Sequence, residues 1–489
     1  MKIKFWNLGS IKEAELDLRP LTVIIGPNNS NKTYIAYSIY GLWKHIASNM
    51  IKTLELSQLE IEDTAQQGLR IKVDSSFIDF FSTSVKLISQ QFDGFKLEAF
   101  FQDSSHKIFE RTGLQLEVSD NEILDAICIL QRQEIIKVAF RKNGYQVKLE
   151  NNYFVVEAMQ NNIENEDLIK EISASLITIV CVLILREIFS IAFPFPAERN
   201  ALINTYKFIE NTRYRFFKGE RFFKRVQRGS GDFINIDVDN DLESTKFRQL
   251  DLFGQQENLF YPQPVEDFLD FLTEIELENK PVPDSSSKNK FQELADQIEE
   301  HIQNNNKTKF KKTKFGGREI KVSVKRGLEI DLYNASSSIK QLAPLLLYLR
   351  YRAKAGDFLV IDEPEMNLHP ESQVKLLEAL AILVNLGVRV LLTTHSPYLM
   401  SHLNNIVNGN HQDQDILEAQ AQSLYLQDSQ AFLKMEQVSA YEMKNNKLIS
   451  LHDPDYGIRW DTLSDVSVDV QQKFFAIYEA GQKSKDTEA

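Results

Sequence analysis

The sequence predicts the α/β fold class, in which buried parallel strands alternate with amphipathic helices. Two short runs, "LTVIIG" (Leu21 to Gly26) and "FLVI" (Phe358 to Ile361), are almost wholly apolar, as strands covered on both faces are. Each is followed by a segment with apolar residues at helical spacing, "TYIAYSIYGLWKHI" and "ESQVKLLEALAILVNLG". A third buried strand is predicted in "VRVLLTTHSPYLM", which begins at Val388.

Length and composition place the chain among ordinary globular proteins. It has 489 residues, of which 43% are hydrophobic and 26% are charged. Two cysteines, Cys128 and Cys181, cannot form a disulfide framework, which fits a reducing interior. The N-terminus shows no signal peptide, and the longest apolar run, "LITIVCVLIL" (Leu176 to Leu185), is too short to span a bilayer. We therefore expect a cytoplasmic protein with no membrane partner.

The segment "IIGPNNSNKT" (Ile24 to Thr33) resembles the phosphate-binding pattern G-x-x-x-x-G-K-[ST]. Strand, loop and helix follow in the order that this chemistry requires, because backbone N–H groups of the loop and the helix N-terminus hold phosphate oxygens. Lys32 is expected to reach the β- and γ-phosphates, and Thr33 to ligate Mg²⁺. The predicted cofactors are therefore ATP and Mg²⁺, and the predicted nucleotide-binding residues of this loop are Gly26, Pro27, Asn28, Asn29, Ser30, Asn31, Lys32 and Thr33.

Asn31 stands where the phosphate-binding pattern has its second glycine. Loop glycines serve positions with positive φ or a close backbone approach. Asparagine is among the few other residues that tolerate the left-handed region. We therefore expect the loop to close with Asn31 in place.

An acidic pair, Asp362 and Glu363, follows the apolar strand in "GDFLVIDEPEMNLHP". Mg-nucleotide chemistry needs such a pair: Asp362 would hold the Mg²⁺ shell opposite Thr33, and Glu363 would orient and deprotonate the attacking water. The alternative is a helix-capping Asp with a solvated Glu. That alternative does not explain why an apolar strand ends in two carboxylates followed by Pro364.

Two further segments contribute candidate residues. His395 ends the strand that follows the acidic strand and helix, so it would lie at the sheet edge where ligand sites collect, near the γ-phosphate or the water. The polar turn in "NASSSIKQLAPLLLYLR" precedes a helix, and its Ser336 and Ser338 offer hydroxyl and N–H groups to an anion. The alternative for the serines is a simple helix N-cap.

Together these segments resemble the ABC-type ATPase heads of the SMC, RecF, Rad50 and OLD group, which include stand-alone AAA-family ATPases of the AAA15 and AAA21 type. The resemblance rests on "GPNNSNKT" as Walker A, "ASSSIKQL" as the signature, "FLVIDEPEMNLHP" as Walker B, and "LLTTHS" as the switch-histidine segment. "FPAERNAL" (Phe195 to Leu202) is similar to a "PAxR" segment of the stand-alone members.

The resemblance implies a P-loop head of the α/β class, split by a large insertion of mixed helices and strands. The expected ranges are 1–45 for the N-terminal lobe, 46–330 for the insertion, 331–430 for the C-terminal lobe, and 431–489 for a C-terminal hairpin and helix. It also implies that two heads form a head-to-tail homodimer, or a higher oligomer, around ATP. Ser336 of one head would then touch the γ-phosphate held by the other.

Three departures from the family pattern bear on the rate of hydrolysis more than on ATP binding. Asn31 replaces a glycine, and Ser337 and Ser338 replace the usual glycine pair of the signature. No Q-loop glutamine is assigned.

The middle of the chain contains no sustained heptad pattern, which argues against the coiled-coil arms of SMC or Rad50 chains. A helix is expected in "SSFIDFFSTSVKLISQQF" and a hairpin around Asn143-Gly144. The basic stretches Arg213 to Arg228 and Lys307 to Arg318 are candidates for binding nucleic acid, although the net charge of −13 gives no general attraction to it. The alternatives are a helix that buries its Phe face and a solvated loop. "DVDND" (Asp237 to Asp241) is interpreted as a surface turn.

Near the C-terminus a hairpin is expected around Asn445-Asn446, followed by an amphipathic helix in "VSVDVQQKFFAIYE". The TOPRIM nuclease that OLD proteins carry is not found, so a nuclease partner would be a separate chain. The resemblance therefore implies an ATPase that drives or gates an effector, in a setting such as bacterial anti-phage defence. Two alternatives stay open: an ATP-loaded sensor or scaffold with little turnover, and a RecF-like DNA-repair ATPase.

Overall fold

The computed structural model of the chain describes residues 1–53, 61–64, 68–103, 105, 107–133, 135–140, 143–150, 152–158, 166–216, 233–236, 261–278, 289–312, 318–325, 327–453, 457–460, 468–475 and 477. The strands within them are β1 (Lys2–Leu8), β2 (Ile11–Asp17), β3 (Leu21–Ile25), β4 (Ile61–Thr64), β5 (Gly68–Lys72), β6 (Gly113–Glu117), β7 (Ile136–Phe140), β8 (Asn143–Glu150), β9 (Tyr153–Ala158), β10 (Ala192–Phe195), β11 (Phe233–Ile236), β12 (Lys307–Lys312), β13 (Arg318–Lys325), β14 (Leu328–Asp331), β15 (Phe358–Asp362), β16 (Arg389–Thr394), β17 (Val438–Lys444), β18 (Lys447–Ser450), β19 (His452–Asp453) and β20 (Gly457–Ile458). The helices are α1 (Lys32–Thr53), α2 (Ser75–Gln90), α3 (Gly94–Phe101), α4 (Asp120–Gln131), α5 (Glu166–Ile188), α6 (Arg199–Phe216), α7 (Gln263–Glu278), α8 (Lys290–His301), α9 (Ser337–Tyr351), α10 (Pro370–Asn385), α11 (Pro397–Asn408) and α12 (Gln414–Ala421).

A six-stranded sheet in the order β10-β15-β16-β3-β17-β18 forms the centre of the fold. All neighbouring strands pair in parallel except β17 and β18, which form the predicted hairpin. β3 comes from the N-terminus and lies between two strands from the C-terminal part. The predicted α/β fold, with both lobes in one sheet, is therefore confirmed.

The register of this sheet brings the predicted motifs to one edge. Asp362, the last residue of β15, pairs with Thr393, and Thr394, the last residue of β16, pairs with Ile25. Because parallel strands end on the same side, the loops after β3, β15 and β16 leave the sheet together. This is the edge at which ligands bind in open α/β sheets.

The central strands are buried because each face of the sheet packs on its own core. Along β3, Ile24 joins one core while Val23 and Ile25 join the other, and in β15 Val360 and Ile361 divide in the same way. Alternate side chains of a strand point to opposite faces, so strands covered on both sides are apolar throughout.

Helices α1 to α5 and the β2-β1-β6 sheet supply the first core. Helices α6 to α11 supply most of the second. The apolar run predicted to be a core element lies in α5 and is buried from Ile177 onward, so that prediction is confirmed. In the described part of the chain, no helix is long and apolar enough to cross a membrane.

The predicted ranges of the head omit three strands of the central sheet. β10 lies inside 46–330, and β17 and β18 lie inside 431–489, yet all three are paired within the sheet. β17 pairs with β3 from Val438 to Glu442, and four of these five β17 residues and all five β3 partners are apolar or small. This long-range pairing has no local signal, so the sequence showed only the hairpin.

The hairpin predicted around Asn143-Gly144 is present, but these two residues do not form its turn. Asn143 pairs with Phe140 and Gly144 with Ala139, so both lie within β8. This register places four buried side chains in two facing pairs, and their burial outweighs the preference of Asn-Gly for a turn. The pairs are Ile136 with Val147 and Val138 with Tyr145.

Of the basic stretch from Lys307 to Arg318, the described part begins with strand β12, and not with the solvated loop that was the alternative to a segment binding nucleic acid. β12 pairs with β13, and β13 pairs with β14. Lys309 and Lys311 both form salt bridges with Glu329 of β14, so one negative charge lies beside these two positive charges. Arg213 to Arg228, apart from the last turn of α6, and Asp237 to Asp241 lie outside the described residues.

Candidate functional site

The P-loop connects β3 to α1, and its own lysine closes it. Lys32 Nζ donates to the carbonyl oxygens of Gly26 (2.9 Å) and Pro27 (2.8 Å). The side chain is buried, and burial lowers the pKa of Lys32, while the nearby carboxylates of Glu363, Asp362 and Glu365 oppose that shift. In the described structure Lys32 forms no salt bridge. A buried ammonium held only by carbonyl groups gains from a phosphate partner.

Two further residues of the P-loop, Gly26 and Ser30, have features that bear on its function. A Cβ on Gly26 would lie 2.8 Å from the Met443 side chain and 3.0 Å from the Met443 carbonyl oxygen, so only glycine fits against β17. The Ser30 hydroxyl is buried and has no hydrogen-bond partner among the described residues. A buried hydroxyl without a partner is expected to find one when ligand binds.

Asn31 adopts the left-handed conformation that the sequence analysis predicted, with φ of 68°. Its side chain has a second role, which the sequence did not show. Asn31 Nδ2 donates to Ser10 Oγ (2.5 Å), and Ser10 Oγ donates to Asn446 Oδ1 (2.8 Å). The P-loop is thereby tied to the β1–β2 turn and to the β17–β18 turn.

Replacing Asn31 by glycine removes this tie and keeps the backbone conformation accessible. We expect Asn31→Gly to weaken ATP binding by about threefold to tenfold, the worth of one hydrogen bond. Asn152, between β8 and β9, is the matched control, because its φ is 63°, it is exposed, and no hydrogen bond of its side chain is found in the described structure. Equilibrium binding of a fluorescent ATP analogue to both variants measures the difference. Equal affinities would show that the Asn31 side chain does not hold the loop.

Thr33 and Asp362, the two predicted metal ligands, meet at the sheet edge although 329 positions separate them. Thr33 Oγ1 lies 3.2 Å from Asp362 Oδ1 and 3.1 Å from Oδ2. The Thr393 hydroxyl also donates to Asp362. Burial raises the pKa of Asp362, and the hydrogen bonds from Thr393 and Thr33 act in the opposite direction.

Glu363 and His395, the two predicted catalytic residues, are also neighbours. His395 Nδ1 lies 3.3 Å from Glu363 Oε1. The exposed fraction of the His395 side chain is 47% and that of Glu363 is 24%, so both reach solvent at the mouth of the site. Glu363 has a positive φ of 48°, and its N–H donates to the Thr393 carbonyl (3.1 Å). Such a conformation persists in a glutamate only where the surroundings hold it.

Arg199 provides that support, and its role was missed in the sequence. Its Nη1 donates to the carbonyl oxygen of Asp362 (2.7 Å) and its Nη2 to that of Glu363 (3.0 Å). Its Nε donates to Gln341 of α9 (3.3 Å). The side chain is 3% exposed, and burial lowers the pKa of Arg199 to about 10. The signal was the "PAxR" segment, but only the fold shows that its arginine fixes the backbone of the acidic pair.

A model of the AAA ATPase domain family matches residues 1–400. The chain belongs to this family. The match includes Walker A, the acidic pair and His395, and it confirms the AAA-type ATPase resemblance. The chain therefore has the fold of a nucleotide-binding family.

Comparisons with individual proteins found only distant likenesses. No curated protein sequence matches it. A crystal structure of an Smc head bound to the C-winged helix domain of ScpA is 10% identical, covering 92% of this chain and 96% of that one, with a TM-score of 0.33. An Smc head with an extended coiled coil, bound to the C-terminal domain of ScpA derived from Pyrococcus furiosus, is 12% identical, covering 96% and 98%, with a TM-score of 0.31. Nothing about activity or partners follows from likenesses this distant.

The serines of the signature segment form the start of α9. Ser336 is the N-cap residue: its hydroxyl accepts from the Ile339 N–H (3.4 Å) and lies 2.9 Å from the Ser338 hydroxyl. Ser336 is exposed. No hydrogen bond joins either serine to the P-loop within the described residues. The N-cap reading is therefore seen in the single chain, and the contact with a second head's nucleotide stays a prediction.

The site's oxygen atoms fit Mg²⁺. The Thr33 hydroxyl and the Asp362 carboxylate are hard ligands of the kind that Mg²⁺ prefers. Within the described residues, no group of three or more His, Cys, Asp or Glu side chains could hold a metal alone. Mg²⁺ usually takes one or two protein ligands and completes its shell with phosphates and water, so this partial set is the expected one.

Proposed function

We propose that the protein binds Mg·ATP at the P-loop and hydrolyses it, and that ATP-dependent dimerisation drives or gates a separate partner protein. The observation that carries the proposal is the contact of Thr33 with Asp362, beside Glu363 and His395, at the carboxyl edge of the parallel sheet. Residues from three distant segments meet there, and together they could bind the metal ion and position the attacking water, as phosphoryl transfer to water requires.

The loop residues bind and orient the triphosphate. On binding, the Lys32 ammonium gains an anionic partner beyond the two carbonyl groups that hold it. The loop N–H groups and the N-terminus of α1 face the phosphates. Thr33 and Asp362 would hold Mg²⁺, and the bound ion would supply positive charge to the phosphate oxygens.

Glu363 takes a proton from the attacking water, and His395 orients that water. Glu363 is partly exposed, and Arg199 and Thr393 fix its backbone, so its carboxylate is presented in one direction. His395 lies beside this carboxylate, and about half of its side chain is exposed to solvent. Positioning and charge stabilisation account for most of the rate enhancement in phosphoryl transfer.

The proposed dimer is head-to-tail, with Ser336 of each head completing the site of the other. This part is supported by the resemblance of the motif segments and by the exposure of Ser336. The same resemblance supports an effector such as a nuclease on a separate chain and a role in anti-phage defence.

A mixing experiment tests the composite site. Glu363→Gln chains lack the base, and Ser336→Arg chains block the site that they present to a partner. Each alone is expected to be inactive. A mixed dimer has one site with an intact Glu363 from one chain and an intact Ser336 from the other, so a 1:1 mixture is expected to recover about a quarter of wild-type turnover. A mixture as inactive as its components would contradict the head-to-tail arrangement.

Folding controls accompany that experiment. Ser336→Arg removes an N-cap, which costs about 1 kcal/mol, so its melting temperature must be compared with wild type. Tyr333→Arg changes another exposed residue before α9 and retains Ser336. Its turnover separates loss of the serine from the introduction of positive charge.

A further inference from the structure

Glu365 is a buried carboxylate at the site to which no role has been assigned so far. Its Oε1 accepts from the Thr394 hydroxyl (2.5 Å) and from the His395 backbone N–H (2.9 Å). The exposed fraction of its side chain is 3%. Its Oε2 is buried and has no hydrogen-bond partner among the described residues. A carboxylate in this position lowers the stability of the fold, because burying a charge without full pairing is unfavourable.

The contacts of Oε1 do not require the negative charge. A glutamine at this position would accept the same two hydrogen bonds through its amide oxygen, without the desolvation penalty of a carboxylate. The charge therefore acts on other groups. It opposes the lowering of the pKa of Lys32 and of Arg199 by burial. It also lies beside the His395 ring, whose Nδ1 is 3.7 Å from Glu365 Oε1 and 3.3 Å from Glu363 Oε1.

Two carboxylates thus face the same ring nitrogen of His395. In a neutral imidazole only one nitrogen carries hydrogen, and the hydrogen bond made by one nitrogen sets the role of the other. Glu365 lies beyond hydrogen-bond distance of Nδ1, so it acts through its charge, and two negative charges beside Nδ1 favour the form with hydrogen on that atom. Within the described structure no protein group bonds to Nε2, which leaves that atom for the nucleotide or the water.

We propose that Glu365 is a positioning residue for His395, whose charge keeps the hydrogen on Nδ1 and so fixes the ring beside Glu363 with Nε2 left for the reacting groups. This inference rests on the proposed ATPase function. Glu365 also holds the His395 backbone, so the ring and its main chain are fixed by one side chain.

Glu365→Gln tests the inference, because it removes the charge and retains the shape. We expect kcat to fall on the order of tenfold, the lower end of what such orienting carboxylates contribute, with little change in KM. In a His395→Ala background the same substitution is expected to leave kcat unchanged, since residues that act through one another are not additive. Glu371→Gln, an exposed carboxylate near the same loop, is the matched control and should behave as wild type.

A second readout needs no nucleotide. Selective ¹⁵N labelling of histidine side chains reports the tautomer of His395, assigned from the signals that vanish in His395→Ala. Wild type should show hydrogen on Nδ1, and Glu365→Gln should show a shift toward the other tautomer.

The outcomes separate this inference from the proposed function. Wild-type turnover with an unaffected Glu365→Gln variant, or an equal loss in the His395→Ala background, would overturn the inference alone. An identical His395 tautomer in wild type and Glu365→Gln would do the same. A wild-type protein with no turnover above Glu363→Gln would overturn the proposed function, and the inference with it.

Discussion

Turnover of ATP is expected to fall by about 10²- to 10⁴-fold in the Glu363→Gln variant, while ATP affinity stays close to that of wild type. Glutamine has the shape of glutamate but cannot take a proton from water. It also retains the side-chain length and leaves the backbone contacts of Glu363 with Arg199 and Thr393 in place. The loss should therefore lie in the chemical step.

Single-turnover phosphate release and equilibrium ATP binding, measured on the same preparation, separate these effects. The control is Glu371→Gln, which changes the same residue type without touching the site. If Glu363→Gln hydrolyses ATP at a rate close to wild type, another group is the base and the assignment of Glu363 is wrong. If it loses binding as well, its role is structural.

Arg199→Met is expected to destabilise the fold by about 3 kcal/mol or more, which is large against the net stability of a domain. Methionine fills similar space but donates nothing, so the carbonyl groups of Asp362 and Glu363 and the Gln341 contact lose their partner. Each buried acceptor left without a donor costs about 1–3 kcal/mol. The left-handed backbone of Glu363 also loses the group that holds it, so turnover should fall even well below the melting temperature.

Urea unfolding measures the first effect and phosphate release at low temperature the second. Arg199→Lys is the informative partner variant, because lysine keeps the charge but cannot bridge both carbonyl groups with a planar fork. We expect it to lie between wild type and Arg199→Met in both measurements. Arg111→Met controls for loss of an exposed arginine. An Arg199→Met protein as stable and active as wild type would rule out the backbone-support role.

The strand ends explain why so much of the site could be predicted. Thr33, Asp362 and His395 lie in segments whose order of strand, loop and helix is visible locally, and parallel strands place their carboxyl ends together. Asn31 was likewise predictable, because a left-handed position admits few residue types.

What was missed depends on pairing between distant segments. Glu365 lies in a loop between Pro364 and Met366, where a glutamate is ordinarily solvated, but here it is buried and accepts hydrogen bonds from the end of β16. β17 was recognised as a hairpin strand, but its place beside β3 depends on tertiary contacts. Asn143 and Gly144 lie within β8, and not in a turn, because burial of the cross-strand pairs outweighs the turn preference of Asn-Gly.

The structure also bears on the two alternatives. Asn31 was one motive for a slow ATP sensor, and its observed left-handed φ closes the loop as a glycine would. For a DNA-binding role, the lysines of β12 that the structure describes include Lys309 and Lys311, both paired with Glu329. Within the described residues, neither alternative gains an observation in its favour.

Phosphate release from ATP by the wild-type protein, measured with and without Mg²⁺ over a range of protein concentrations, tests the central claim most directly. We expect Mg²⁺-dependent release whose specific activity rises with protein concentration, as a site shared between two heads requires. Release that is absent at every concentration would contradict the assignment as an ATPase, and release with constant specific activity would contradict the composite dimer site.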